Sequence, residues 1–298
     1  MCGRVGVFMA GRVPAELWLK SAWPLYGFSI VLLRSVLVVG EAVNGAKLWI
    51  NIAGVQFQPS EIAKFTLILL FAKLTRGFGG YAKTFRYGVL GFGAALMGIL
   101  VPLALEKHLS AIMLMGLVAV VMMFVAGTSL KWLGMGAGVA GWFVLVYTRL
   151  MGYAGDRVTA WLHPEQDPSD TGYQILQSLY AIGSGGLFGL GFGKSRQKYM
   201  YLPFQYNDYI FAIICEELGF VGAMGIILLF VLLILRGYWI ALQARDRFST
   251  VLAAGVFTLI GVQVLRELGD VTILHPSTRI VMPSFSSRIP ALAVDLGC

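Results

Sequence analysis

Charge is scarce in this chain. Only 13% of its 298 residues are Asp, Glu, Lys or Arg, while 58% are hydrophobic. A soluble globular domain carries about 25% charge and about 45–50% apolar residues. With a mean hydropathy of +0.77, the surplus apolar surface belongs in lipid, and a soluble domain is excluded. Cysteine and histidine are scarce too, at three each. Cys2, Cys215 and Cys298 are scattered, which excludes a disulfide framework and a zinc site of the usual spacing. His108, His163 and His275 have no metal-ligand neighbour at i+4, so no metal centre is expected. The N-terminus has Arg4 and Arg12 but only a short apolar run and no small-residue cleavage site, so no cleavable signal peptide is expected. Fixed-period repeats are absent. A nucleotide loop is absent as well: Gly193-Lys194-Ser195 would need a glycine five residues before Gly193, and Phe188 stands there.

The net charge of +8 would suit nucleic acid, but the basic residues sit in short stretches between apolar runs. That placement suits a membrane, its positive-inside rule and its anionic lipids, and excludes nucleic acid as the partner. A spanning helix needs roughly 20 mostly apolar residues. Trp23–Gly40, Pro59–Leu74, Tyr87–Leu105, Leu109–Gly127, Trp132–Tyr147, Tyr209–Leu235 and Val251–Leu265 meet that need. Gly6–Ala10 is too short and reads as the tail of a segment cut away. The expected fold is all-α: a polytopic helical membrane protein of about seven or eight spans, forming one domain over 1–298. Arg12 and Lys20, then Lys73, Arg76, Lys83 and Arg86, then Lys131, then Arg236, Arg245 and Arg247 all fall on one side under simple alternation. That side is cytoplasmic. Outside lie Glu41–Gln58, a large loop over 149–208, and the tail from Gly269.

The outer loop is where chemistry is expected. It ends in Asn207-Asp208, just before an apolar segment carrying Glu216-Glu217. A carboxylate at a membrane interface, partly desolvated, is suited to act as a base; the commoner role for such a residue is that Asn207 or Asp208 caps the following helix, and the two roles are compatible. Glu216 lies eight residues on, on nearly the same helical face. Glu216 and Glu217 form either a polar track into the bundle or a pair with a basic residue on a neighbouring helix. Glu61 and Lys64, three apart, can neutralise each other within the membrane. The glycine run from Gly183 to Gly193 is read in two ways: a flexible loop whose amides and basic residues meet an anionic head group, or close-packed backbone.

Several passages together resemble a known family. They are Val43-Asn44-Gly45-Ala46-Lys47-Leu48-Trp49-Ile50, Phe57-Gln58-Pro59-Ser60-Glu61 with Lys64, and His108-Leu109-Ser110. Others are Gly172-Tyr173-Gln174 with Gln177-Ser178, and Gly185-Gly186 through Gly193-Lys194-Ser195. The longest runs from Gln197-Lys198-Tyr199 through Asn207-Asp208 to Glu216-Glu217-Leu218-Gly219. The chain resembles the SEDS family of bacterial cell-wall proteins, the FtsW, RodA and SpoVE group, and is most similar to its FtsW and SpoVE members.

The resemblance implies a ten-span fold and a peptidoglycan glycosyltransferase that polymerises lipid II in the bacterial cytoplasmic membrane, at the division septum. It implies a class B penicillin-binding protein as the transpeptidase partner, and it places the family's essential aspartate at Asp208. Asp208 would take the proton from the attacking sugar hydroxyl as undecaprenyl pyrophosphate leaves. Arg157, Lys194, Arg196, Lys198 and Lys47 are candidates to hold the pyrophosphate. Glu61, Lys64, Glu216 and Glu217 are candidate polar groups inside the bundle. No cofactor is required by this reading; a divalent cation, Mg or Mn, is left open. Two other roles stay open at this point: a flippase moving lipid II along a path lined by Glu61, Lys64, Arg34, Glu216 and Glu217, and a non-catalytic scaffold of the division complex. The chain also departs from the family. Phe204 replaces a glutamate, Leu48 replaces an arginine, and Pro283-Ser284-Phe285-Ser286-Ser287-Arg288-Ile289 lacks two glycines. The first span, most of the second and the last are unmatched. A fragment, a degenerate copy or an altered reading frame near the C-terminus would each produce this pattern.

Overall fold

The structure is a computed structural model, and it describes residues 14–43, 46–52, 55–106, 108–151, 171–191, 193–194 and 210–272. All seven apolar segments are helical. In chain order the helices are α1 (Ala15–Val39), α2 (Pro59–Phe78), α3 (Phe92–Leu105), α4 (Leu109–Val125), α5 (Leu130–Met151), α6 (Thr171–Gly185), α7 (Ile210–Leu242) and α8 (Arg247–Val271). A one-turn π segment, Arg86–Gly91, leads into α3. Among the described residues four stretches are long and apolar enough to cross a membrane: Ala15–Val38, Arg86–Leu105, Ile210–Leu242 and Arg247–Val271. The 20-residue α2 reaches about 30 Å at 1.5 Å per residue, again the thickness of a hydrocarbon core.

Two features within the expected outer segments are new. Three short strands, β1 (Glu41–Val43), β2 (Ala46–Ile52) and β3 (Val55–Phe57), pair antiparallel in that order across a small sheet. Glu41 pairs with Trp49, Ile50 with Phe57, and a bulge falls between Glu41 and Ala42. Helix α6 lies inside what reads in sequence as one polar interruption. A third difference is at the C-terminal side, where the expected tail from Gly269 is still helix, since α8 runs to Val271.

The helix ends follow local chemistry. Pro59 occupies the first turn of α2, where its missing N–H is no loss. Gly79, at φ 51°, ends that helix in a conformation costly for any residue with a Cβ. Asp246 accepts a hydrogen bond from Ser249 N at 3.2 Å and so caps α8.

The described residues fall into two compact units. The first contains those of Met1–Trp142 and Leu235–Ile260, the second those of Phe143–Ile234 and Gly261–Arg288. In the first unit, Leu33, Leu67, Leu70, Phe71, Phe92, Ile99, Leu103, Met115 and Met122 are fully buried. Phe71 and Phe92 meet at 4.9 Å between ring centroids. Tyr26 is a polar pin in this core, its hydroxyl donating to Ala95 O at 2.6 Å. Gly98 makes room for it, because a Cβ there would collide with the Tyr26 hydroxyl. Gly255 of α8 lets backbone approach α2 and α4: a Cβ there would sit 2.7 Å from an Ile68 methyl and 2.8 Å from Met122. The second unit contains the end of α5, α6, the glycine run, the first part of α7 and the last part of α8. Leu228, Leu229, Leu232 and Leu233 of α7 are exposed, as lipid-facing side chains would be.

Candidate active site

The polar groups of α2 come from its first two turns. Lys64 Nζ lies 2.7 Å from Glu61 Oε2, with both side chains nearly inaccessible. The i,i+3 spacing puts them on one face, and Glu61 also sits in the first turn, where the helix dipole favours an acid. The contact is an ion pair between two buried groups of opposite charge. Ser60, also buried, has no hydrogen-bond partner for its hydroxyl among the described residues. On another face of α2, Thr66 donates to Ser29 Oγ of α1 at 3.0 Å.

The same end of this unit holds Glu106, His108 and Ser110, all buried, where α3 gives way to α4. His108 and Ser110 belong to a motif visible in the sequence; Glu106 does not. The signal was present, a lone acid at the mouth of an apolar span. Burial raises the Glu106 carboxyl to about 8, and one of its oxygens has no hydrogen-bond partner among the described residues. A carboxyl raised from its unfolded value holds a proton that the unfolded chain releases. Folding stability therefore falls as pH rises from about 5 to about 8, by on the order of a few kcal/mol. Glu106→Gln is expected to flatten that slope and raise the thermal midpoint at pH 8, measured by tryptophan fluorescence between pH 5 and 9.

In the second unit the glycine run is close-packed, not free. Helix α7 is interrupted at Gly219, with φ 69° and ψ −173°. The break releases carbonyls above it and amides below it, and the glycine run meets both. Leu190 N donates to Glu216 O at 3.0 Å and Gly191 N to Glu217 O at 3.1 Å. In return Phe220 N donates to Gly186 O at 2.9 Å and Val221 N to Leu187 O at 3.2 Å. Irregular backbone at membrane depth persists only where its polar groups are satisfied in this way. Four glycines make the approach possible. A Cβ at Gly185 would strike Cys215 O, at Gly189 it would strike Glu217 O, and Gly191 holds φ 102°. At Gly219 a Cβ would lie 2.6 Å from Leu187 O and Phe188 C. Gly219→Ala is thus expected to destabilise the fold by about 1–3 kcal/mol through positive φ and overpacking, seen as a lower unfolding midpoint.

The clasp fixes where Glu216 and Glu217 stand. Both side chains are buried, Glu216 at 1% exposure. The last two turns of α8 add a group that sequence reading missed: Gln263, Glu267 and Asp270 are buried, and Arg266 approaches Asp270 at 4.0 Å. These charges lie beyond the expected end of the last span at Leu265, which is why they went unremarked.

Of the residues expected to meet substrate, Lys194 is described. It is exposed, and its backbone N–H donates to Gly191 O at 3.1 Å, closing the glycine run. Lys47 lies in β2. Asp208, Arg157, Arg196 and Lys198 lie outside the described residues. Arg34 is exposed on α1.

Apolar helices long enough to cross a membrane, with buried acid on α2 in the first unit and, in the second, buried acids on α7 and α8 beside a helix break clasped by glycines, define a polytopic membrane protein. The family model described as "Cell cycle protein", covering FtsW, RodA and SpoVE, matches residues 1–288. A probable peptidoglycan glycosyltransferase FtsW of Geobacter sp. (strain M18) is 37% identical over 99% of this chain and 81% of its own length. The stage V sporulation protein E of Bacillus subtilis (strain 168) is 38% identical over 95% of this chain and 78% of its own length. A solved structure described as "Structural coordination of polymerization and crosslinking by a peptidoglycan synthase complex" is similar with a TM-score of 0.79 and 29% identity, covering 99% of this chain and 84% of that one. The chain belongs to the FtsW/RodA/SpoVE family of cell cycle proteins.

Proposed function

We propose that the chain is a peptidoglycan glycosyltransferase that polymerises lipid II at the outer face of the bacterial cytoplasmic membrane. The observation that carries this reading is the 37% identity, along 99% of the chain, to a protein named as such an enzyme. The 149–208 segment, within one membrane domain over 1–298, is the part that carries the reacting groups. Asp208, two residues before α7 begins, takes the proton from the acceptor hydroxyl as it attacks the anomeric carbon of the donor. Undecaprenyl pyrophosphate departs with the bonding electrons. Lys194, at the exposed end of the glycine run, together with Arg157, Arg196, Lys198 and Lys47, offsets the charge that grows on it.

A class B penicillin-binding protein is the proposed partner, crosslinking the strands as they emerge, and the septum is the proposed location. The similar structure's description joins polymerisation to crosslinking. The distribution of charge favours chemistry over transport. Among the described residues, the buried charges of α2, α7 and α8 are Glu61, Lys64, Glu216, Glu217, Glu267 and Asp270. All fall in the helix halves that the positive-inside rule places outside. A flippase path needs polar lining through the whole thickness. The test pairs two assays on the purified full chain: glycan strands from labelled lipid II with the partner present, and movement of fluorescent lipid II across liposomes. Strands without movement support the enzyme; movement without strands overturns it.

A further inference from the structure

The opposite end of the first unit carries a cavity that the reaction does not use. Its volume is about 390 Å³, and its lining includes Thr75, Gly79, Lys83, Gly127, Arg247 and Thr250. Lys83 comes from the stretch after α2 and Arg247 from the first residue of α8, so two cations from distant parts of the sequence line one space. The surroundings are strongly biased. Lys73, Arg76, Arg86, Lys131, Arg236 and Arg245 lie in the adjacent stretches, against one acid, Asp246. The C-termini of α2 and α4 also face this end and favour cations, but Asp246 is engaged in capping α8.

The depth of the cavity is marked by aromatic side chains. Tyr81, Phe85 and Tyr87 are exposed. Phe85 packs on Trp132 at 4.8 Å and Tyr81 on Tyr87 at 5.9 Å between centroids. Arg236 lies 4.0 Å from the centre of the Trp239 ring. Exposed Tyr and Trp of this kind sit at the level of lipid head groups. The positive-inside rule places this end in the cytoplasmic leaflet, whose anionic lipids basic pockets between membrane helices bind through their phosphates.

We propose that the cavity is a binding site for the phosphate of an anionic phospholipid of the cytoplasmic leaflet, held between Lys83 and Arg247. The glycine backbone at Gly79 and Gly127 leaves it open: a Cβ at either would meet nothing within 4 Å. Within the first unit the site lies at the other end of α2 from Glu61 and Lys64, and its occupancy is independent of the polymerase reading.

The experiment uses the purified full chain in detergent stripped of lipid. Short-chain phosphatidylglycerol or phosphatidylcholine is added, and retained lipid is counted by native mass spectrometry. The parent is expected to retain one phosphatidylglycerol in preference to phosphatidylcholine. Lys83→Gln is expected to weaken that retention about fivefold, and Lys83→Gln with Arg247→Gln about twentyfold. Lys83→Arg with Arg247→Lys keeps both charges and is expected to retain the lipid. Lys131→Gln with Arg245→Gln removes two charges outside the lining and is expected to weaken retention less than twofold. Equal losses in the two double variants would overturn the proposal, since diffuse surface charge would then explain binding. Inorganic phosphate alone displacing the lipid at millimolar concentration would also overturn it, assigning the cavity to a soluble phosphate.

Discussion

Glu61→Gln alone is expected to destabilise the chain by about 3–5 kcal/mol, and Lys64→Met alone by a similar amount. The reason is the burial of the pair. Glu61 is 7% exposed and Lys64 3%, so deleting one partner leaves the other charged, desolvated and without a counterion. The two carboxylate oxygens and the ammonium also lie in the first turns of α2, which packs against α1, α3 and α4. Movement of this helix to hydrate a stranded charge would disturb all three neighbours. The paired change Glu61→Leu with Lys64→Met is expected to recover most of that stability, because replacing a buried ion pair with apolar groups of similar volume is often neutral. Thermal unfolding of the four proteins in one detergent measures this. Additive losses in the paired variant would show that the two residues serve stability through separate contacts. If the paired variant folds well yet makes no strands, the pair also serves the reaction.

Asp208→Ala is expected to lower strand formation by about 10²–10⁴-fold while leaving folding intact. A sugar hydroxyl is a poor nucleophile until its proton is taken, and a positioned base typically contributes that factor. A helix-capping role would cost about 1 kcal/mol of stability and little rate. Asp208→Asn separates the two, since asparagine caps as well as aspartate but takes no proton at neutral pH. Loss of rate in both variants, with an unchanged unfolding midpoint in Asp208→Asn, is the expected pattern.

Much of this architecture was legible in the residues because a membrane imposes strong rules. Seven apolar runs became seven helices since backbone in lipid must satisfy itself. Trp23–Gly40 and Val251–Leu265 were read too short. Helix α1 begins at Ala15 and α8 extends from Arg247 to Val271, and both extensions pass through charged residues that hydropathy discounts. Helix α6 escaped notice for a related reason. It lies within a polar interruption and closes in glycines. The small sheet of β1, β2 and β3 was hidden in an outer loop, where alternation over a few residues gives little signal.

The candidate site was legible to a different degree. The spacing of Glu61 and Lys64 determines that they can meet on one helical face, and they do at 2.7 Å. The glycine run permitted both a flexible loop and packed backbone. Glycine frees φ without naming the partner, and the partner, a break in α7 some 30 residues on, follows only from three-dimensional proximity. Glu106 and the Gln263–Asp270 group were missed because each sits at the margin of a span, where an acid is ordinarily solvated. The family motif around Asp208 was readable from sequence alone; its surroundings lie outside the described residues.

Strand synthesis from labelled lipid II, by the purified full chain with its class B partner, tests the central claim most directly when run on the parent and Asp208→Ala side by side. The account predicts a ladder of glycan strands from the parent and none from the folded variant. Equal ladders from both, or no ladder from a folded parent that still binds its partner, would contradict it.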